Sequence, residues 1–205
     1  MALVSDRIMR RARAKPRGWV FSAKDMLDFG DRATVDKALS RLAAKGQLRR
    51  VGHGLYDRPR VLKLNGKTVP VDLDQAVGAI ARKDGVHIAR DGIFPANRLG
   101  LTNAVPARTS YLTSGTSKTV KLGGRTLMLK HAPDKVLRWK DRPGDPVARA
   151  IHWIGRDAIR DPKVADRLSK TLPDAVKRDV VDHAGDLPHW AAPVVKRLKA
   201  DVAAA

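Results

Sequence analysis

TVDKALSRLAAKGQLRRVGHGLYDRP, Thr34 to Pro59, is the stretch whose reading decides the fold. Val35, Ala38, Leu39 and Leu42 recur at i, i+3, i+4 and i+7, one apolar stripe of an amphipathic helix. Asp31 is the N-cap candidate, the helix runs through Lys45, and Gly46 is a natural residue just past its C-terminus. Gln47 to Val51 and Gly54 to Asp57 then read as two short strands joined across Gly52-His53-Gly54.

Upstream, Ser5 to Ala14 places Ile8, Met9 and Ala12 on one helical face, with Arg7, Arg10, Arg11 and Arg13 around them. Two breakers, Pro16 and Gly18, end that helix, and Trp19-Val-Phe21 is an apolar run too brief for another. Ser22 reads as an N-cap with Asp25 as its short-armed capping partner, and Phe29-Gly30 stops the helix between them and Asp31. Helix, short strand, helix, tight turn, helix and two-stranded hairpin is the order of a winged helix-turn-helix.

In that fold the second helix of the pair enters the major groove, its first-turn residues meeting base edges. The outward face of the 31–45 helix suits the task. Ala33, Ser40 and Ala44 are small enough for close approach, Arg32 and Thr34 sit in the first turn, and Lys37 and Arg41 reach phosphates or guanines. Arg49, Arg50 and His53 cluster on the hairpin, where a wing touches the DNA backbone. Winged helices also serve as protein–protein modules, so local charge has to weigh in.

The 205 residues carry 41 Lys+Arg against 21 Asp+Glu, a formal net charge of +20. Residues 1–60 hold +9, residues 61–144 another +9, and residues 145–205 only +2. A field of this size attracts polyanions, of which nucleic acid is the commonest in a cell. Every acidic residue is Asp, and there is no Cys. Disulfides, thiolate zinc sites, iron–sulfur clusters, cysteine nucleophiles and glutamate-dependent metal motifs are therefore excluded by composition.

No catalytic constellation emerges. Asp72-Leu-Asp74 has the form of a metal-binding D-x-D, but it lacks an upstream Gly-Ser phosphate turn and reads better as helix first-turn acids. His53, His87, His131, His152, His183 and His189 are scattered, without helical metal-ligand spacing. Neither a G-x-S-x-G nor a Walker loop is present, so no enzyme, metal or cofactor is expected. No apolar run approaches the ~20 residues that cross a bilayer, and Met1 to Lys15 is not a secretory signal. A cytoplasmic protein with no membrane partner is expected.

Three parts are expected: a winged helix-turn-helix over residues 1–60, a linker over 61–70, and a mixed α/β domain over 71–205, mainly helical from 145. The linker carries a small Asn65-Gly66 hairpin between Val61-Leu-Lys-Leu64 and Lys67-Thr-Val69. Beyond it, helices are expected at Asp72–Lys83 and Phe94–Leu101, and strands at Val86–Ala89 and Thr109–Thr113. Lys118 to Leu129 is a β-hairpin closed by Gly123-Gly124, and its basic residues read equally as a nucleic-acid surface or a solvated sheet face. Asp145-Pro146 and Asp161-Pro162 read as N-caps followed by proline, and further helices fit Pro173–His183 and Trp190–Val202. Trp139, Trp153 and Trp190 are read as core anchors. The fold class is α+β.

GVHIARDGIFPANRLGLTNAVPARTSYLTSGTSKTVKLGG, Gly85 to Gly124, resembles the core of the AbiEi-type antitoxins of type IV toxin–antitoxin (abortive infection) systems. The likeness lies in Asn97-Arg-Leu-Gly-Leu-Thr102, Val105-Pro106 and Tyr111-Leu-Thr-Ser-Gly115, and the winged helix ending in Gly52-His-Gly-Leu-Tyr-Asp-Arg-Pro59 is similar to that family's N-terminal domain. The resemblance implies an autorepressor whose winged helix binds double-stranded DNA at inverted repeats of its own operon promoter. It also implies that the following antitoxin-like domain counteracts a nucleotidyltransferase-like toxin, directly or only functionally. A solitary winged-helix regulator, or a protein-interaction module without a toxin partner, is the alternative reading.

Overall fold

In a computed structural model that describes residues 3–62, 64–104 and 109–204, helix α1 (Val4–Ala14) buries Ile8, Met9 and Ala12. Lys15 turns extended before Pro16, and strand β1 (Val20–Ser22) follows. Ser22 caps the next turn as expected: Asp25 Oδ2 accepts the Ser22 backbone N–H at 2.8 Å and its hydroxyl at 3.1 Å. The segment it opens, Ala23–Phe29, is a 3₁₀ helix. Asp31 caps helix α2 (Arg32–Ala44) by accepting Thr34 N–H at 2.7 Å, and Val35, Ala38, Leu39 and Leu42 are all buried.

Strands β2 (Arg49–Gly52) and β3 (Leu55–Asp57) form the wing, and β1 pairs with β3 to complete an antiparallel sheet ordered β1-β3-β2. Phe21 and Tyr56 from that sheet meet Ile8, Met26 and Leu39 in one core. The N-terminal region is a winged helix-turn-helix. A bulge interrupts the wing between Arg50 and Gly52, so Val51 falls outside the regular ladder.

The 61–70 segment folds back as a minimal hairpin, with Val61 bridging Thr68 and Leu62 N–H donating to the Lys67 carbonyl at 2.9 Å. Lys63 within it and Val105-Pro106 of the Gly85–Gly124 segment lie outside the described residues. Helix α3 (Leu73–Asp84) is capped by Asp72, whose Oδ1 accepts Asp74 and Gln75 N–H. The D-x-D is thus a helix start.

Contacts divide the chain into two compact units, Met1–Ile88 with Thr119–Leu127, and Ala89–Lys118 with Met128–Ala205. The first unit therefore extends past residue 60, and α3 belongs to it. Arg82 explains why: its Nε donates to Asp25 at 2.7 Å and a terminal nitrogen donates to the Val20 carbonyl at 2.9 Å. Such pairs join residues about sixty positions apart, which local composition cannot register.

The remaining strands are β4 (Ile88–Arg90), β5 (Thr109–Thr113), β6 (Lys118–Leu122) and β7 (Arg125–His131), ordered β4-β5-β7-β6. Between β4 and β5 lies helix α4 (Ile93–Arg98). Gly123 and Gly124 take φ of +52° and +82°, the left-handed conformations a two-residue turn of this hairpin requires.

The second unit continues with α5 (Asp134–Leu137), α6 (Asp145–Ile159), α7 (Pro162–Thr171), α8 (Asp174–Asp182) and α9 (Ala192–Ala204). Asp161 caps α7 as read, accepting Lys163 N–H at 2.9 Å. Asp145 does not cap α6. Gly144 holds that position, and Asp145 lies in the first turn, ion-paired with Arg149. Arg149 also donates to the Arg90 carbonyl at 2.7 Å, which ties the end of β4 to α6. Gly155, at φ +78°, breaks α6 near its end. Trp139 is fully buried beside Ile151, Val180 and Val194, whereas Trp153 and Trp190 are half-buried.

Gly92 marks the closest approach in this unit. A Cβ there would fall 2.0 Å from the Arg149 carbonyl oxygen, a backbone atom that cannot step aside. Gly92→Ala should lower stability by about 1–3 kcal/mol or more, read as an earlier thermal midpoint. Burial holds the His152 imidazole below its ordinary pKa, and its ring packs edge-on against Trp190. Below about pH 6.5 the unfolded chain therefore binds protons that the folded imidazole does not, and stability falls as pH drops. In denaturant titrations between about pH 7 and pH 5, His152→Phe should show a shallower decline than the wild type.

Candidate nucleic-acid interface

The burial of the α2 stripe turns the opposite side of that helix to solvent. Arg32, Ala33, Thr34, Lys37, Ser40, Arg41 and Ala44 are all exposed. Asp31 sits at the helix start with its carboxyl held below the ordinary value, first by the Thr34 N–H bond and then by the Thr34 hydroxyl. That cap keeps Thr34 from using its own hydroxyl freely, since the group donates to Asp31 Oδ2 at 3.1 Å. Arg32 pairs with Asp36 one turn on at 2.8 Å, yet stays 63% exposed. Lys37 and Arg41 make no ion pair among the described residues. They flank a shallow cleft of about 320 Å³ whose other wall is Leu3, Val4 and Ser5.

The basic residues of the first unit fall into two groups. Arg7 and Arg11 both lie over the Phe29 ring, at 4.6 and 4.0 Å, and Arg11 grips Asp28 with two bonds of 2.7 and 2.6 Å. The Arg11 hydrogen bond, helped by its charge, outweighs desolvation and holds the Asp28 carboxyl below its usual range. These two arginines fasten α1 to the 3₁₀ helix. Arg10 and Arg13, on the same helix, are exposed and unpaired among the described residues.

The wing divides in the same way. Arg50 and His53 are exposed, as a backbone-contacting wing requires. Arg49 is engaged within the fold. Its guanidinium grips the buried Asp57 carboxylate at 2.9 and 2.5 Å and also donates to the Val69 carbonyl at 2.9 Å. The Asp57 bond, outweighing desolvation, raises the Arg49 pKa further. Where the sequence placed Arg49 among the DNA-contacting residues, the structure gives it the role of a brace between the two wing strands and the end of the 61–70 return at Val69. Alternation along β2 puts Arg49 and Arg50 on opposite faces, but only the cross-strand Asp57 decides which of the two is paired.

No helix among the described residues is long and apolar enough to cross a membrane. Nor does any group of three or more His and Asp side chains among them stand close enough to hold a metal ion. Comparison with known families matches residues 7–179 to a family of unknown function (DUF6088). The chain belongs to that family. The match runs from α1 into α8, so the DUF6088 family unites the winged helix with the mixed domain that follows it. No curated protein and no solved structure matches the chain.

Arg49→Ala should leave the Asp57 carboxylate buried without its partner and destabilise this DUF6088 protein by on the order of 3 kcal/mol. Arg50→Ala should be neutral in the same thermal melts. Equal melting of the two variants would show that the Arg49–Asp57 pair does not hold the wing.

Proposed function

We propose that this protein is a DNA-binding transcriptional autorepressor whose α2 enters the major groove of its own operator. The observation that carries the reading is the two-sided character of α2. Its apolar stripe is wholly buried, and its opposite face presents small residues and two cations without an ion pair among the described residues. Small Ala33, Ser40 and Ala44 permit close approach, while Lys37 and Arg41 supply charge-assisted contacts to phosphate or guanine. Arg50 and His53 extend the contact to the neighbouring backbone. The first unit carries 21 basic and 9 acidic residues, which favours a polyanion over a basic or neutral protein surface.

The second half of the proposal is that the protein is the antitoxin of a type IV system, opposing a nucleotidyltransferase-like toxin in the cytoplasm. It is supported by the likeness of Gly85–Gly124 to the AbiEi core. Co-expression with the product of the adjacent open reading frame tests it, through restored growth.

Mobility shifts with the protein's own upstream DNA test the repressor half. If ~5–8 phosphates are neutralised, log K should fall with log salt at a slope of about −4 to −7. Lys37→Ala and Arg41→Ala should each weaken binding, by ~1–3 kcal/mol where the side chain reads a base, with unchanged melts. A salt slope near −1, or full affinity in both variants, would overturn the proposal.

A further inference from the structure

The tip of the β6–β7 hairpin, Thr119–Leu127, lies in the same compact unit as the wing. It is fastened there by backbone and apolar contacts. Gly123 N–H donates to the Val51 carbonyl at 2.9 Å, and Val51 is the wing residue that the bulge removes from the ladder. Leu122 is fully buried and fills the space over Gly52. A Cβ on Gly52 would stand 2.9 Å from the Leu122 Cδ2 and 3.1 Å from the Lys121 carbonyl oxygen.

None of this anchoring uses the hairpin's charges. Lys121 and Arg125 are exposed and make no ion pair among the described residues. The sequence has no acidic residue between Asp91 and Asp134, so no carboxylate of that stretch offsets them. On the adjoining wing, the single acid of the two strands, Asp57, is neutralised by Arg49, while Arg50 and His53 are exposed and make no ion pair among the described residues. Two basic hairpins thus stand side by side, and Arg50, Lys121 and Arg125 make no ion pair among the described residues. Hydration alone would tolerate such a patch, but a phosphate backbone matches its sign and its continuity.

We infer that the β6–β7 tip is a second wing, Lys121 and Arg125 contacting phosphates of the duplex that the first wing touches. The Gly123-Gly124 turn between them offers no side chain to read a base, so the contribution is to affinity and not to sequence preference. This inference rests on the DNA-binding reading above.

The test uses the full-length chain and two duplexes, one from upstream of its own gene and one of random sequence and equal length. The double variant Lys121→Ala/Arg125→Ala should lose affinity for both duplexes by the same factor. Its salt slope should be shallower by about 1.8, so the deficit shrinks about 12-fold across a fourfold rise in salt. Lys121→Glu/Arg125→Glu should bind more weakly still, with both variants melting like the wild type. If Lys37→Ala weakens binding while both hairpin variants bind with the wild-type slope, the second wing is overturned and the repressor reading stands. If the wild type binds neither duplex, both fall together.

Discussion

Burial of Val35, Ala38, Leu39 and Leu42 against Ile8, Phe21 and Met26 is the constraint on which the candidate interface depends. A helix of thirteen residues is marginal on its own, and its stability in a protein comes mainly from the packed face. Once that stripe is seated, the orientation of the remaining side chains follows from the 3.6-residue repeat. Lys37 and Arg41 then have no direction available except outward. The cap at Asp31 sets where the first turn begins, and with it which residues stand at the exposed start of the helix.

The second theme is the sorting of cations by what their aspartates can reach. With no glutamate in the chain, every ion pair relies on the shorter acidic side chain, so partners must be brought close by the backbone. Arg11 finds Asp28, Arg49 finds Asp57 and Arg82 finds Asp25 because the fold places them together. Cations left without such a neighbour are the ones facing solvent. In the second unit the same rule operates inward. Burial alone would raise the Asp91 carboxyl, but hydrogen bonds from Ser110 and Lys130, with the charge of Lys130, outweigh it and hold the group below its ordinary value. That network ties β4, β5 and β7 together on one sheet. Asp145 goes the other way, because burial outweighs its bonds to Arg149 and raises its carboxyl.

Close backbone approach shapes both units as well. Gly92 lets α4 lie against α6, and Gly52 lets the β6–β7 tip lie against the wing. Each close approach depends on a missing Cβ. In sequence both glycines look like ordinary loop punctuation.

Local order was legible in the sequence wherever the signal spans a turn or two. The α2 stripe, the Asp31, Ser22 and Asp161 caps, the wing strands and the Gly123-Gly124 hairpin all depend on residues within about ten positions, and periodicity or turn chemistry suffices for them. The outward face of α2 was legible for the same reason. What tertiary structure alone decided is whose partner lies far away. Arg49 and Arg50 are neighbours of the same type, and only the cross-strand Asp57 makes one a brace and leaves the other free. Likewise Asp145 becomes an ion-pair partner and not a cap because Gly144 already closes the helix. The compact unit that holds the winged helix runs on to Ile88, and Arg82 is bonded within it to Asp25, 57 positions away. The hairpin tip joined the wing through a bond between Gly123 and Val51. Contacts between distant positions leave no periodic trace, so they come into view only when the chain has folded.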